Sequence, residues 1–254
     1  MHELARAQCP ELIAQAAAEL GIDPFERIDA GTMYLQPAVY CGALAHWRAA
    51  GQPIADFAAG HSLGELAALV AAGYLTPEDG MRLVLARGIA MERAAYAAEP
   101  GGLLAVMGAR ERARALGERH DLTLAADNAP EQIVFSGPVA CLQAARSQAR
   151  GLGVRAVRLR VPAALHSDAM RPAVAPFRRA LEAVGFGAPR MLAIANVTAA
   201  PFKDPASELT LGLVSCVRWR ESVLALQAAG TGSYREMGGS DILSGLVERT
   251  LAAT

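Results

Sequence analysis

Ser62 lies in Gly60-His61-Ser62-Leu63-Gly64, a Gly-x-Ser-x-Gly pentapeptide between an apolar run over 54–59 and an apolar helical pattern over 63–72. Strand, sharp turn and helix in that order are what a nucleophile elbow requires. The turn strains the backbone at the serine, and flanking glycines let strand and helix approach closely. Ser62 Oγ then projects from the tip of the turn, near the positive end of the following helix, where an oxyanion would be stabilised. A serine nucleophile needs a base, and five histidines are available. His2 lies at a terminus, His46 among Leu44, Trp47 and Arg48 in a helical pattern, and His120 at the end of a charged helix. His61 adjoins the serine, where a neighbour's ring points away and suits an accessory hydrogen bond. His166 remains, in a loop at the junction of two chain regions where a cleft would form.

Two further positions bear on the chemistry. Arg87 falls in an otherwise apolar helical stretch, where a guanidinium suits bidentate capture of a carboxylate; the plain alternative is a solvated arginine. In an α/β hydrolase the acid that orients the histidine lies between serine and histidine in the chain. Asp79, Asp121 and Asp127 are the aspartates in that interval. None is placed at a strand end facing His166, and an HGGG-type oxyanion motif is absent, so a standard hydrolase triad does not emerge.

The elements that must position these groups follow from periodicity and punctuation. Helices are expected over 3–20, 38–50, 63–72 and 77–98, with Thr76 as N-cap and Pro77 at the first helical position. Pro100-Gly101-Gly102 breaks the chain. Strand 103–107, helix 111–119, strands 122–126 and 132–136, helix 139–152 and strand 154–160 then give β-α-β-β-α-β, the split arrangement of ferredoxin-like units. Helix 168–184, strand 192–197, helices 206–212 and 219–229, a short strand 233–237 and helix 242–253 complete the chain. Alternating strands and helices in both outer segments predict an α/β fold with a parallel sheet covered on both faces. The expected division is a large subdomain from residues 1–98 and 163–254, with an inserted ferredoxin-like small subdomain over 99–162.

At 254 residues, with 53% hydrophobic residues, the chain can bury a sizeable core. A net charge of -1 gives no general attraction to nucleic acid or anionic membrane. Cys9, Cys41, Cys141 and Cys216 form no C-x-x-C pair, so a disulfide scaffold or metal ribbon is not expected and the thiols are read as reduced core residues. No signal peptide is expected at the start and no apolar run reaches a membrane span, which predicts a soluble cytoplasmic protein.

Taken together, these segments resemble the malonyl-CoA:acyl carrier protein transacylases and the related polyketide synthase acyltransferases. Gly60-His-Ser-Leu-Gly-Glu65 and the apolar stretch to Gly73 look like that family's nucleophile motif. Arg87-Gly-Ile-Ala-Met91 is similar to its Arg-Gly-x-x-Met, and Asp127-Asn128-Ala-Pro-Glu-Gln-Ile-Val-Phe-Ser-Gly137 to its Asn-x-Pro-x-Gln segment. Val161 to Ser167 occupies the place of the histidine loop, and Asn196-Val-Thr, Val217-Arg-Trp219, Glu236-Met-Gly238 and Leu243-Ser-Gly-Leu246 match further signatures.

The resemblance implies an α/β-hydrolase-like core and ping-pong acyl transfer from coenzyme A to the phosphopantetheine thiol of an acyl carrier protein. It implies Ser62 as nucleophile, His166 as base and Leu63 N–H as an oxyanion donor, with Arg87, Met91, Asn128 and Leu165 binding the acyl group. It also implies no metal and no resident cofactor, acyl-CoA being a substrate, and a monomer serving fatty acid or polyketide assembly. The family histidine is oriented by a main-chain carbonyl, here aligned with Gly212. Three departures stand out. The family's opening Gly-Gln-Gly-Ser-Gln, whose first glutamine supplies a second oxyanion amide, has no counterpart, so the chain is expected to start just after it. Leu165 replaces the phenylalanine of malonyl-selective members, which would admit a larger acyl group. Gly239-Ser240-Asp241 replaces Pro-Gly-Lys. Two other readings remain: a hydrolase clearing acyl groups from stalled carrier proteins, and a non-catalytic protein that docks carriers.

Overall fold

The structure is a computed structural model that describes residues 1–253. Two sheets organise it. The first carries the elbow: β1 (Phe57–Ala59) pairs in parallel with β6 (Leu192–Ala195), which pairs antiparallel with β7 (Ala200–Pro201). Helices α1 (His2–Gln8), α2 (Pro10–Leu20), α3 (Thr32–Ala49), α4 (Gly64–Ala72), α5 (Pro77–Ala97), α8 (Arg171–Glu182) and α9 (Pro205–Gly212) pack around it. Their shared core includes Leu12, Tyr40, Leu44, Leu66, Leu69, Met81, Leu83, Met91 and Phe177. Thr76 caps α5 by accepting from Asp79 N–H at 3.0 Å, the start that its sequence predicts.

The second sheet is antiparallel in the order β3-β4-β2-β5, with β2 (Gly101–Met107), β3 (Thr123–Ala129), β4 (Gln132–Pro138) and β5 (Arg155–Arg158). Its pleat divides its side chains. Leu104, Val106, Ile133 and Phe135 face α6 (Arg110–Arg119) and α7 (Val139–Ala149). Leu103, Ala105 and Val134 join Trp219 and Val223 of α10 (Trp219–Ala228) and Leu246 of α11 (Ile242–Leu251). The fold is α/β with a small antiparallel unit of ferredoxin-like order, as the alternation of elements predicts.

Three local expectations change. The first helical run breaks at Cys9, ahead of Pro10. The helix expected from 38 starts at Thr32 instead, and Pro37 is accommodated inside it. The strand expected over 233–237 does not form: these residues have no strand partner among the described residues, and Tyr234 packs against the core cluster that holds Trp219. No helix among the described residues is long and apolar enough to cross a membrane.

A short stretch joins the two sheets. Val217 O accepts from Asp127 N–H at 2.9 Å, Val217 N–H donates to Ala125 O at 2.9 Å, and Arg218 N–H donates to Asn196 O at 3.0 Å. The buried Asp127 carboxylate takes a forked bond from Arg110, with Nη1 at 2.7 Å, and further bonds from Arg220 of α10. Burial alone would raise its proton affinity, but these bonds hold it below the usual carboxylate range. Asp127→Ala would leave two part-exposed guanidiniums facing each other at this joint. It is expected to destabilise the chain by about 2–3 kcal/mol in urea unfolding.

Candidate active site

Each candidate side chain is set by a short local device. Gly60 ends β1 where a Cβ would lie 2.0 Å from the carbonyl carbon and oxygen of Gly64, so only glycine fits that approach. A Cβ on Gly64 would meet nothing within 4 Å, so the close approach depends on the first glycine only. Ser62 has φ +52° and His166 φ +57°, both in the left-handed region. For a side chain with a Cβ this costs about 1–2 kcal/mol each, which the surroundings must supply. The histidine loop lies directly on β2: a Cβ on Gly101 would sit 2.7 Å from Ala164 Cβ.

Ser62 Oγ donates to His166 Nε2 at 2.8 Å and accepts from Arg87 Nη2 at 3.0 Å. His166 Nδ1 lies 2.8 Å from Gly212 O at the end of α9. A carbonyl can only accept, so Nδ1 carries the proton and Nε2 presents its lone pair to the serine hydroxyl. The main-chain orientation expected at Gly212 is therefore present, and none of the three aspartates is needed for it. Burial, followed by the positive charge of Arg87, lowers the His166 proton affinity to about 3, against the opposing pull of the Gly212 carbonyl. The imidazole is neutral at physiological pH, as a proton acceptor must be.

Arg87 is 6% exposed, and its Nη1 donates to Gln36 Oε1 at 2.7 Å. Gln36 is fixed in turn, its Nε2 donating to Thr32 Oγ1 at 2.8 Å and reaching Met91 Sδ at 3.5 Å. Met91 is fully buried, and its sulfur lies against the Gln36 amide that holds Arg87. Burial brings the guanidinium down to about 10, with Glu65 opposing, and leaves it charged at neutral pH. Leu63 N–H has no acceptor among the described residues and stands at the N-terminus of α4. Leu165 is half-buried and bridges the two core clusters beside His166.

Asn128 is bonded to the elbow through His61. Its Oδ1 accepts from His61 Nε2 at 2.8 Å, and the His61 ring lies 5.7 Å from Trp219. His61 thus makes an accessory hydrogen bond, as expected of an elbow neighbour, and its ring is near enough to His166 to add to the lowering of that residue's proton affinity. The residues that sequence reasoning left without a role are Gln36, Glu65 and Asn196. Asn196 follows directly on β6, which runs parallel to β1, and strand ends on one edge of a parallel pair converge on a site; that was the available signal. A cavity of about 460 Å³ elsewhere is lined by Arg110, Glu111, Glu131, Arg220 and Leu224, and holds none of the groups around Ser62.

Comparison with known proteins identifies the family. Residues 25–249 match the acyl transferase domain family. The polyketide biosynthesis protein ThaF of Burkholderia thailandensis is 37% identical over 255 residues, covering 95% of this chain; the chain spans only 21% of that protein's length. The polyketide biosynthesis malonyl CoA-acyl carrier protein transacylase PksC of Bacillus subtilis is 34% identical over 254 residues, covering 95% of this chain and 86% of PksC. The crystal structure of the malonyl CoA-acyl carrier protein transacylase of Burkholderia pseudomallei superposes with a TM-score of 0.89 at 31% identity, covering 98% of this chain and 92% of that one. A family match over most of the chain, with the same fold at that identity, places this protein in the acyl transferase domain family.

Proposed function

We propose that the protein is an acyl-CoA:acyl carrier protein acyltransferase that moves a malonyl or related acyl group in fatty acid or polyketide assembly. The observation that carries this reading is the double contact of Ser62 Oγ, with His166 Nε2 on one side and Arg87 Nη2 on the other. A base beside the nucleophile fits acyl transfer, and a buried cation beside it fits an acyl group ending in a carboxylate.

In the first half-reaction Ser62 Oγ attacks the thioester carbonyl as its proton passes to His166 Nε2. The oxyanion forms near Leu63 N–H and the positive end of α4. Collapse expels coenzyme A, which leaves with that proton. In the second half-reaction the phosphopantetheine thiol gives its proton to His166 and attacks the acyl-serine. Collapse of that intermediate breaks the ester and returns the proton to Ser62 Oγ. No resident cofactor or metal enters this scheme, since the phosphopantetheine arm belongs to the carrier. The enzyme works as a cytoplasmic monomer in this reading, with acyl-CoA and carrier protein as its partners.

Arg87 is the selectivity residue of the proposal, and Leu165 shapes the room beside the base. In a panel of acyl-CoA donors, Arg87→Ala is expected to lower kcat/KM for malonyl-CoA by about a hundredfold, from the loss of two charge-assisted bonds. Acetyl-CoA, which has no carboxylate for Arg87, should be used at least as well as by the wild type. Unchanged malonyl transfer in Arg87→Ala would remove the carboxylate role. The competing hydrolase reading predicts acyl-carrier hydrolysis outpacing transfer in the same panel.

A further inference from the structure

Asn196 is 2% exposed and makes four hydrogen bonds, three of them to the elbow. Its Nδ2 donates to Gly60 O at 2.8 Å, and its Oδ1 accepts from Ser62 N–H at 2.7 Å. Its own N–H donates to Glu65 Oε1 at 2.7 Å, and its carbonyl accepts from Arg218 N–H at 3.0 Å. One planar amide therefore spans the backbone on both sides of His61. Glu65, buried in the first turn of α4, closes the circuit from the other side of the serine. The side chain that does this must offer a donor and an acceptor on one rigid group. Aspartate lacks the donor and serine the reach.

Two consequences follow for the nucleophile. Ser62 holds φ +52°, a conformation a serine does not keep unaided, and the Asn196 bridge ends on its amide, fixing the peptide unit about which that φ is set. Ser62 N–H is also consumed by Asn196 Oδ1, so it is not free to donate to an oxyanion. We propose that Asn196, anchored by Glu65, is the positioning residue that imposes the left-handed conformation on Ser62 and so aims Oγ between His166 and Arg87. This rests on Ser62 being the nucleophile of the proposed transfer. Burial raises the Glu65 carboxyl to about 8, opposed by the Asn196 N–H bond and Arg87 and reinforced by Glu208. Glutamine keeps the oxygen that accepts from Asn196 N–H and is the close mimic of Glu65.

The test uses Asn196→Ala, Asn196→Asp, Glu65→Ala and Glu65→Gln in the full chain, with thermal unfolding beside each activity measurement. Two activities are read: inactivation of Ser62 by an uncharged phosphonofluoridate, and transfer from malonyl-CoA to carrier protein. Asn196→Ala and Glu65→Ala are expected to slow inactivation by about tenfold or more and to lower kcat similarly, with KM within about twofold. Glu65→Gln should stay within about threefold of wild type, and the double alanine variant should be no worse than Asn196→Ala, because the pair acts as one unit. Asn196→Asp keeps the shape but not the donor, and should fall with the alanine variant. Wild-type inactivation rates in folded Asn196→Ala or Glu65→Ala would overturn the proposal. So would a Glu65→Gln defect equal to that of Glu65→Ala, or a rise in KM accompanying every loss. A wild type that is inactivated at Ser62 yet transfers no acyl group would count against the proposed function and leave the positioning role to be read from inactivation alone.

Discussion

Ser62→Ala is expected to lower acyl transfer by about four to six orders of magnitude while leaving the fold intact, the largest effect of any single change in this chain. The magnitude follows from covalent catalysis: without Oγ there is no acyl-enzyme, and the thiol of the acceptor must attack the thioester directly. The fold should survive because, among the described residues, the hydrogen bonds of Oγ go to His166 and Arg87 alone, and the elbow is held by the backbone of Ser62. Steady-state transfer with circular dichroism on the same sample checks both halves. Residual activity within about a hundredfold of wild type in the alanine variant would mean that the serine is not the nucleophile.

His166→Ala ranks second, with an expected loss of about four orders of magnitude in transfer, because nucleophile and base act as a unit. It also has a signature in stability. The folded chain holds the His166 proton affinity down to about 3, whereas an unfolded histidine titrates near ~6.5. Between those values the unfolded chain binds a proton that the folded chain does not. Stability therefore rises with pH through this window, is fully present above about 6.5, and is lost as pH falls toward 3. The difference corresponds to on the order of 5 kcal/mol, and His61, also lowered by burial, acts in the same sense. Urea unfolding at pH 4 and pH 7 should show a shallower dependence in His166→Ala than in wild type. Equal slopes would mean that His166 is not buried in its neutral form.

Much of this site is legible in the sequence because its devices are local. Gly60 to Gly64 is a five-residue turn, and Arg87 stands out on an apolar helix. His166 is reached by elimination among five histidines. Glu65, Asn196 and Gln36 were not legible as working residues. Their partners lie far along the chain, 131 to 136 positions apart for the Asn196 bonds and 51 for Gln36 to Arg87. No periodicity records such a bond. The same limit explains the strand over 233–237. Alternation of side chains marks which face is apolar, but a strand exists only where a neighbour supplies the ladder. Residues 233–237 have no such neighbour among the described residues, and the second edge of β1 is likewise unpaired there. The small antiparallel sheet was legible throughout, since each of its strands pairs with another inside residues 101–158.

The identity of the acylated residue is the claim on which the account depends. Intact-mass and peptide-mass measurement of the protein after exposure to malonyl-CoA, with no acceptor present, tests it directly. The account predicts one malonyl group per chain, located on the peptide containing Ser62, absent from Ser62→Ala and discharged on adding acyl carrier protein. A folded wild type that gains no acyl group, or an adduct that persists in Ser62→Ala, would contradict it.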